Sequence, residues 1–196
     1  MKAYYEARAR EYDDWWLGQG RFVDRIRPGW DEEVAELTRV LAAMPPARTL
    51  DVACGTGFLT QHLPGEIVGL DQSESMLEIA GARIPEATFV QGDGLGLPFG
   101  DGEFDRLFTS YFYCHLEEDE RRRFLADARR VARELVLVGS LWREGEEPER
   151  YEERVLNDGS RWQVFKRVFV PEELLGELGG GEVLHQGPRY FLVVRA

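Results

Sequence analysis

The residues best equipped for chemistry begin with Leu50-Asp51-Val52-Ala53-Cys54-Gly55-Thr56-Gly57-Phe58, an apolar strand pattern running into a glycine turn. Such a turn lets backbone approach a ligand closely, and the pattern predicts a helix through Phe58 to Leu63 beyond it. Counting from Gly55, the third glycine of a Gly-x-Gly-x-x-Gly fingerprint would fall at Thr60, so the dinucleotide pattern fails. A Walker loop fails too, because Lys2 and Lys166 are the only lysines and neither follows such a loop. The next apolar run ends in Asp71, whose carboxylate can accept both hydroxyls of a ribose lying across the strand ends. A third run ends in Gly92-Asp93-Gly94, where Asp93 can accept from an adenine amino group while nearby amides meet ring nitrogens. Either carboxylate alone is more often a strand-terminal turn residue or a helix cap. On successive strand ends, the two together favour an adenosine-like ligand. Farther on, Tyr111-Phe112-Tyr113-Cys114-His115 offers His115 as a candidate general base, Tyr113 as a second catalytic candidate, and Tyr111 and Tyr113 as candidate walls of an acceptor pocket. The competing explanation is a surface histidine opening the next helix, with tyrosines that fill the core. His62 and His185 fall outside this constellation, and no His/Cys cluster has metal-ligand spacing, so no metal is expected.

These groups need strands to hold them side by side. Arg48 to Ala53, Glu66 to Asp71 and Ala87 to Asp93 read as buried strands, with a helix from Ser73 to Ile84 capped by Ser73. Phe104 to Ser110 and Glu134 to Gly139 add two more strands around a charged helix, Glu117 to Ala132, completing a five-stranded parallel set. Glu182 to His185 and Tyr190 to Val194, joined by Gln186-Gly187-Pro188, are too close for a crossover and imply an antiparallel hairpin. Two helical patterns, Ala3 to Trp16 and Asp31 to Met44, precede the first strand, and Pro45-Pro46 closes the second. Between strand five and the hairpin, Glu144 to Arg154 is dense in charge, Trp162 to Val170 is β-like, and Pro171 starts a helix.

A length of 196 residues suits a single α/β domain over 1–196, with 1–30 as an N-terminal lid or cap and 143–180 as the acceptor-site region. A formal net charge of −12 opposes a phosphate backbone, so no nucleic-acid partner is expected. No run approaches the roughly 18 apolar residues needed to span a bilayer, and the start, Met1-Lys2-Ala3-Tyr4-Tyr5-Glu6-Ala7-Arg8, lacks a signal-peptide apolar core. A cytoplasmic location without membrane attachment is the expectation. Cys54 and Cys114 read as reduced thiols.

At this point the chain resembles the class I S-adenosylmethionine-dependent methyltransferases, whose motif acidic-x-Gly-x-Gly-x-Gly stands here as Asp51-x-Ala53-x-Gly55-x-Gly57. The resemblance continues through Gly69-Leu70-Asp71-Gln72-Ser73-Glu74-Ser75-Met76-Leu77, Gln91-Gly92-Asp93-Gly94 with Leu97-Pro98-Phe99, and Phe104-Asp105. Two positions depart from the family pattern. Ala53 replaces the first glycine, which requires a negative φ, and polar Gln72 stands where the family places an apolar residue against adenine.

The resemblance implies a doubly wound, seven-stranded Rossmann-like sheet of order 3-2-1-4-5-7-6 with strand seven antiparallel, and S-adenosylmethionine as cofactor with S-adenosylhomocysteine as product. It implies that Asp51, Ala53, Cys54, Gly55 and Gly57 serve the methionine moiety, and Asp71 the ribose. Gln72 and Met76 would meet one adenine edge or face, and Asp93, Gly94 and Leu95 the rest of the ring. The Ser110 carbonyl would hold the ligand amino group, and Tyr12 of Tyr12-Asp13 would form the lid. A small-molecule acceptor is favoured, since the Asn/Asp-Pro-Pro-Tyr run often carried by family enzymes that methylate amide or adenine nitrogen is absent after strand four. Arg161, Lys166 and Arg167 are candidates to recognise an anionic group on it, with simple solvation of these bases as the favoured competing reading. The rivals are a cofactor-binding protein without turnover and an aminopropyl transferase, for which Glu117, Glu118 and Asp119 would have to bind a polyamine.

Overall fold

Continuous apolar runs become the central strands, because a parallel strand buried on both faces needs no polar side. The computed structural model describes residues 1–196. Its strands β1 (Ala47–Val52), β2 (Gly65–Asp71), β3 (Thr88–Gln91), β4 (Phe104–Ser110) and β5 (Ala132–Ser140) are parallel. The C-terminal hairpin, β8 (Glu182–Gln186) and β9 (Phe191–Arg195), completes a seven-stranded sheet of order β3-β2-β1-β4-β5-β9-β8. β9 is antiparallel to both β5 and β8. The expected topology holds, with the anticipated sixth and seventh strands being β8 and β9.

Successive side chains on a strand face opposite sides, and the two hydrophobic layers divide accordingly. Leu107, Leu135, Leu137 and Leu192 pack on one face with Phe124 and Ala128, from helix α5 (Glu118–Val131). Phe108, Val136, Val138 and Phe191 pack on the other with Leu37 and Leu41, from helix α3 (Trp30–Ala42). Helix α4 (Glu74–Arg83) starts where expected, the Ser73 hydroxyl accepting from the Met76 amide at 3.2 Å. A reciprocal capping box between Glu117 and Glu120 starts α5.

Three expectations need correction. The single helix expected from Ala3 to Trp16 is broken into α1 (Lys2–Arg8), a 3-10 turn at Ala9–Glu11 and α2 (Asp14–Leu17). The break places Asp13 against the first glycine turn, where it accepts from the Thr56 hydroxyl at 2.6 Å and pairs with Arg83. The helix expected from Phe58 to Leu63 is only a 3-10 turn, Thr60–His62. Pro64 follows, and Leu63 is extended, as a residue before proline prefers. Finally, the charge-dense stretch is a strand. β6 (Glu149–Val155) pairs antiparallel with β7 (Arg161–Arg167) in a separate two-stranded sheet, followed by α6 (Pro171–Glu177).

Register at the carboxyl edge matters most for function. Val52 is opposite Leu70 on one side and Thr109 on the other, so Ala53, Asp71 and Ser110 emerge side by side. Asp71 in turn is opposite Gln91, which brings the Gly92-Asp93-Gly94 turn alongside.

Candidate functional site

A cavity of about 240 Å³ opens over that edge. Ala53, Gly55, Asp71, Gln72, Asp93, Gly94, Leu95 and Ser110 line it, together with Tyr12 and His115. Most of the residues singled out for cofactor binding therefore converge on one space. Asp71 is 7% exposed, and its two oxygens accept from the backbone N–H groups of Gly55 (3.0 Å) and Ser73 (2.9 Å). Burial pushes its pKa up while those amides pull it down. Each oxygen keeps a further lone pair for a ligand hydroxyl. Asp93 is exposed at the mouth, closing its own turn by accepting from the Leu95 amide at 3.0 Å.

The glycines leave room rather than flexibility. A Cβ on Gly55, whose φ is +55°, would lie 3.6 Å from the Tyr12 ring, and one on Gly94 would meet Phe112 at 2.7 Å. A buried carboxylate facing an apolar space over a side-chain-free turn fits a nucleoside bearing a cis-diol.

Four of the proposed cofactor contacts do not line the cavity. Gly57 packs beneath the turn, where a Cβ would be 3.2 Å from Ile84. Cys54 and Met76 are buried. Asp51 is also buried: one oxygen accepts from the Thr60 hydroxyl at 2.6 Å and the other, Oδ1, has no partner. Burial pushes its pKa up to about 8. These four shape the turn from below. The requirement for a negative φ at Ala53 is likewise not met: φ is +59°. Tyr111, at φ +55°, is the other non-glycine residue in this region, and both border the cavity. Left-handed strain thus clusters at the rim of this cavity.

The aromatic segment after β4 divides in two. His115 borders the cavity, and its Nδ1 lies 2.6 Å from the Phe165 carbonyl oxygen of β7. A carbonyl only accepts, so Nδ1 carries the proton and Nε2 is the acceptor. Burial lowers the pKa to about 4, leaving the ring neutral at neutral pH. Tyr113 is placed elsewhere: it is 1% exposed and its hydroxyl donates to Glu177, within a network that includes Arg121 and Arg167. That burial among structural ion pairs overturns its candidacy as a catalytic residue.

The N-terminal segment covers the site. The Glu6 carboxylate accepts from both the Ser73 and Ser75 hydroxyls at the start of α4, and Asp13 clamps Thr56. Tyr5 and Tyr12 are thereby held over the cavity. A second cavity of about 200 Å³ adjoins the first, the two sharing Tyr5, Tyr12, Tyr111 and His115. Of the three basic candidates only Lys166 borders it, whereas Arg161 pairs with Glu153 and Arg167 with Glu177. Leu70 and Phe112 also line the first cavity and went unremarked as contacts in the sequence, since nothing in their type separates them from core residues.

Topology and carboxyl-edge site together define a Rossmann-like methyltransferase fold. The family described as "Methyltransferase domain" matches residues 49–134. Two structures of DhpI, one a complex with SAM and HEP and one with SAH, align with TM-scores of 0.78 and 0.72 at 26% identity, covering 99% and 98% of this chain and 94% and 92% of theirs. The demethylmenaquinone methyltransferase of Thermotoga maritima is 37% identical over 107 residues, 52% of this chain and 44% of the relative. That of Renibacterium salmoninarum is 34% identical over 96 residues, 47% of this chain and 40% of the relative. The matches thus span less than half the length of these curated relatives. Residues 49–134 thus match a methyltransferase domain, and the chain as a whole is similar in fold and sequence to S-adenosylmethionine-dependent methyltransferases.

Proposed function

We propose that this chain binds S-adenosylmethionine in the first cavity and transfers its methyl group to a small-molecule acceptor entering from the second. The observation that carries this reading is the meeting of the two cavities at Tyr5, Tyr12, Tyr111 and His115, with buried Asp71 behind the first. The complexes of DhpI with SAM and SAH support the choice of cofactor. The cofactor supplies an electrophilic methyl: the acceptor's lone pair forms the new bond to carbon, and the carbon–sulfur bond breaks with its electron pair going to sulfur.

The protein's tasks are alignment and exclusion of water. Asp71 holds the ribose hydroxyls, and Gly55 and Gly94 let the ligand lie on backbone. Tyr5 and Tyr12 shield the reacting atoms from solvent. His115 Nε2 accepts the proton from an acceptor that must lose one, its Nδ1–H being anchored on Phe165. His115 is neutral at working pH, so the acceptor position is open.

The demethylmenaquinone relatives suggest a quinone acceptor, but over less than half of their length. An aminopropyl transferase would need carboxylates for a polyamine, and the second cavity carries the opposite charge, with Arg8, Arg27 and Lys166 on its wall. Calorimetric titration with S-adenosylmethionine, S-adenosylhomocysteine and NAD tests the cofactor. Micromolar binding of the first two alone is expected, and no binding would remove the basis of the reading. Product analysis with an acceptor then separates methyl transfer, which releases S-adenosylhomocysteine, from aminopropyl transfer, which releases methylthioadenosine, and from a sensor, which releases neither.

A further inference from the structure

The second cavity is charged against the grain of the molecule. The chain has a net charge of −12, yet eight of its 24 Lys and Arg residues line this one space of about 200 Å³, with only two carboxylates, Glu146 and Glu152. Both carboxylates are engaged: Arg143 holds Glu146, and Glu152 sits between Arg150 (2.7 Å) and Arg154 (2.5 Å). Arg8, Arg25, Arg27, Lys166 and Arg189 remain, and no carboxylate lies within 4 Å of any of them.

Two of these five are held by other means. The Arg8 guanidinium stacks over the Tyr12 ring at 4.7 Å. Arg27 stacks over Trp30 at 4.0 Å and donates to the Trp15 carbonyl at 2.7 Å. Neither contact neutralises the charge, so each cation is positioned and still lacks an anion. Lys166 is half-buried, and burial lowers its pKa against the opposing pull of Cys114 and Glu152, with Arg154 and Arg150 adding a smaller lowering. Five like charges converging from four separate stretches of chain repel one another unless an anion joins them.

We infer that this cavity recognises a phosphate-monoester dianion on the acceptor, so that the substrate class is a small molecule carrying a phosphoryl group. The inference rests on the methyl-transfer reading and deepens it. Four of the five free cations are arginines, whose forked donors match a tetrahedral oxyanion with several acceptor oxygens better than a single carboxylate would. The anion docks among them, and the methylated atom reaches the junction where His115 and the tyrosines border both cavities. A long neutral acceptor would leave these charges unpaired and displace their water.

The test is calorimetry at pH 8 with phenyl phosphate, benzoate and neutral diethyl phenyl phosphate, each with and without S-adenosylhomocysteine. Phenyl phosphate should bind at least about 10-fold more tightly than the other two. Lys166→Met should weaken it by on the order of 10-fold, and Arg189→Gln, at an exposed position, should weaken it measurably. Both variants should keep wild-type affinity for S-adenosylhomocysteine. Equal binding of the neutral ester or of benzoate overturns the inference, and so does unchanged phenyl phosphate affinity in both variants. Variant-sensitive phenyl phosphate binding without S-adenosylhomocysteine binding would instead sink the methyl-transfer reading and leave the anion site standing.

Discussion

Replacing Asp51 by asparagine should change how stability depends on pH, in a direction set by one unpartnered oxygen. Asp51 is 1% exposed, Thr60 donates to Oδ2, and Oδ1 has no partner. Burial holds the carboxyl proton until about pH 8, against an ordinary value of 3.8. Between those limits the folded chain binds a proton that the unfolded chain has released, so this group's contribution to stability falls as pH rises. The full linkage slope is about 1.4 kcal/mol per pH unit, and partial ionisation and local relaxation bring the expectation to on the order of 1 kcal/mol per unit across pH 5 to 8. Above pH 8 both states are ionised and the penalty levels off. The substituted amide is neutral throughout, keeps an oxygen for the Thr60 hydroxyl, and removes the slope. The assay is urea denaturation of wild type and Asp51→Asn at pH 5, 6, 7 and 8. His115, whose lowered pKa takes stability away as pH drops below about 6.5, is common to both proteins and cancels in the difference. The stability difference, variant minus wild type, should rise by roughly 2 to 3 kcal/mol from pH 5 to pH 8. Parallel curves would refute the burial argument.

The site itself gives three further outcomes. Asp71→Ala should weaken S-adenosylhomocysteine binding by about 1 to 3 kcal/mol in calorimetry, and an unchanged affinity would take the ribose away from Asp71. His115→Phe should lower turnover by roughly 100-fold while leaving S-adenosylhomocysteine affinity intact, and full activity would make the ring a mere tie to Phe165. Ala53→Gly should raise thermal stability modestly: release from φ +59° is worth about 1 to 2 kcal/mol, offset by about 0.5 to 1 kcal/mol of glycine backbone entropy. A fall in Tm for that variant would mean the Ala53 methyl is needed for packing.

Much of this architecture was legible because the determinants are local and repeated. Each parallel strand is a short apolar run ended by a polar turn, and Asp71 and Asp93 stand at the ends of neighbouring strands, so the cofactor edge is visible without coordinates. What escaped detection depends on partners distant in sequence. Glu149–Val155 reads as a solvated charge run because its alternation is Glu and Arg rather than apolar and polar. Only opposite Arg161–Arg167, with Arg154 against Trp162 and Tyr151 against Phe165, does it become a strand. The break at Tyr12-Asp13 is equally invisible, since neither residue interrupts a helix; Asp13 leaves it to reach Thr56 and Arg83.

Those two missed features are also what turns a nucleoside pocket into a candidate reaction chamber. The glycine turn and Asp71 alone would bind a cofactor and leave it open to water. The broken N-terminal segment lays Tyr5 and Tyr12 over it, fastened by Glu6 on Ser73 and Ser75. The β6–β7 hairpin supplies the Phe165 carbonyl that fixes the His115 tautomer, and it carries Arg150, Arg154 and Lys166 into the second cavity. In the proposed reading, cofactor recognition is written in short motifs along the sheet edge, whereas acceptor recognition is written in long-range contacts from two appended segments. Substitutions in the hairpin should accordingly alter acceptor choice while sparing cofactor affinity, because no hairpin residue borders the first cavity.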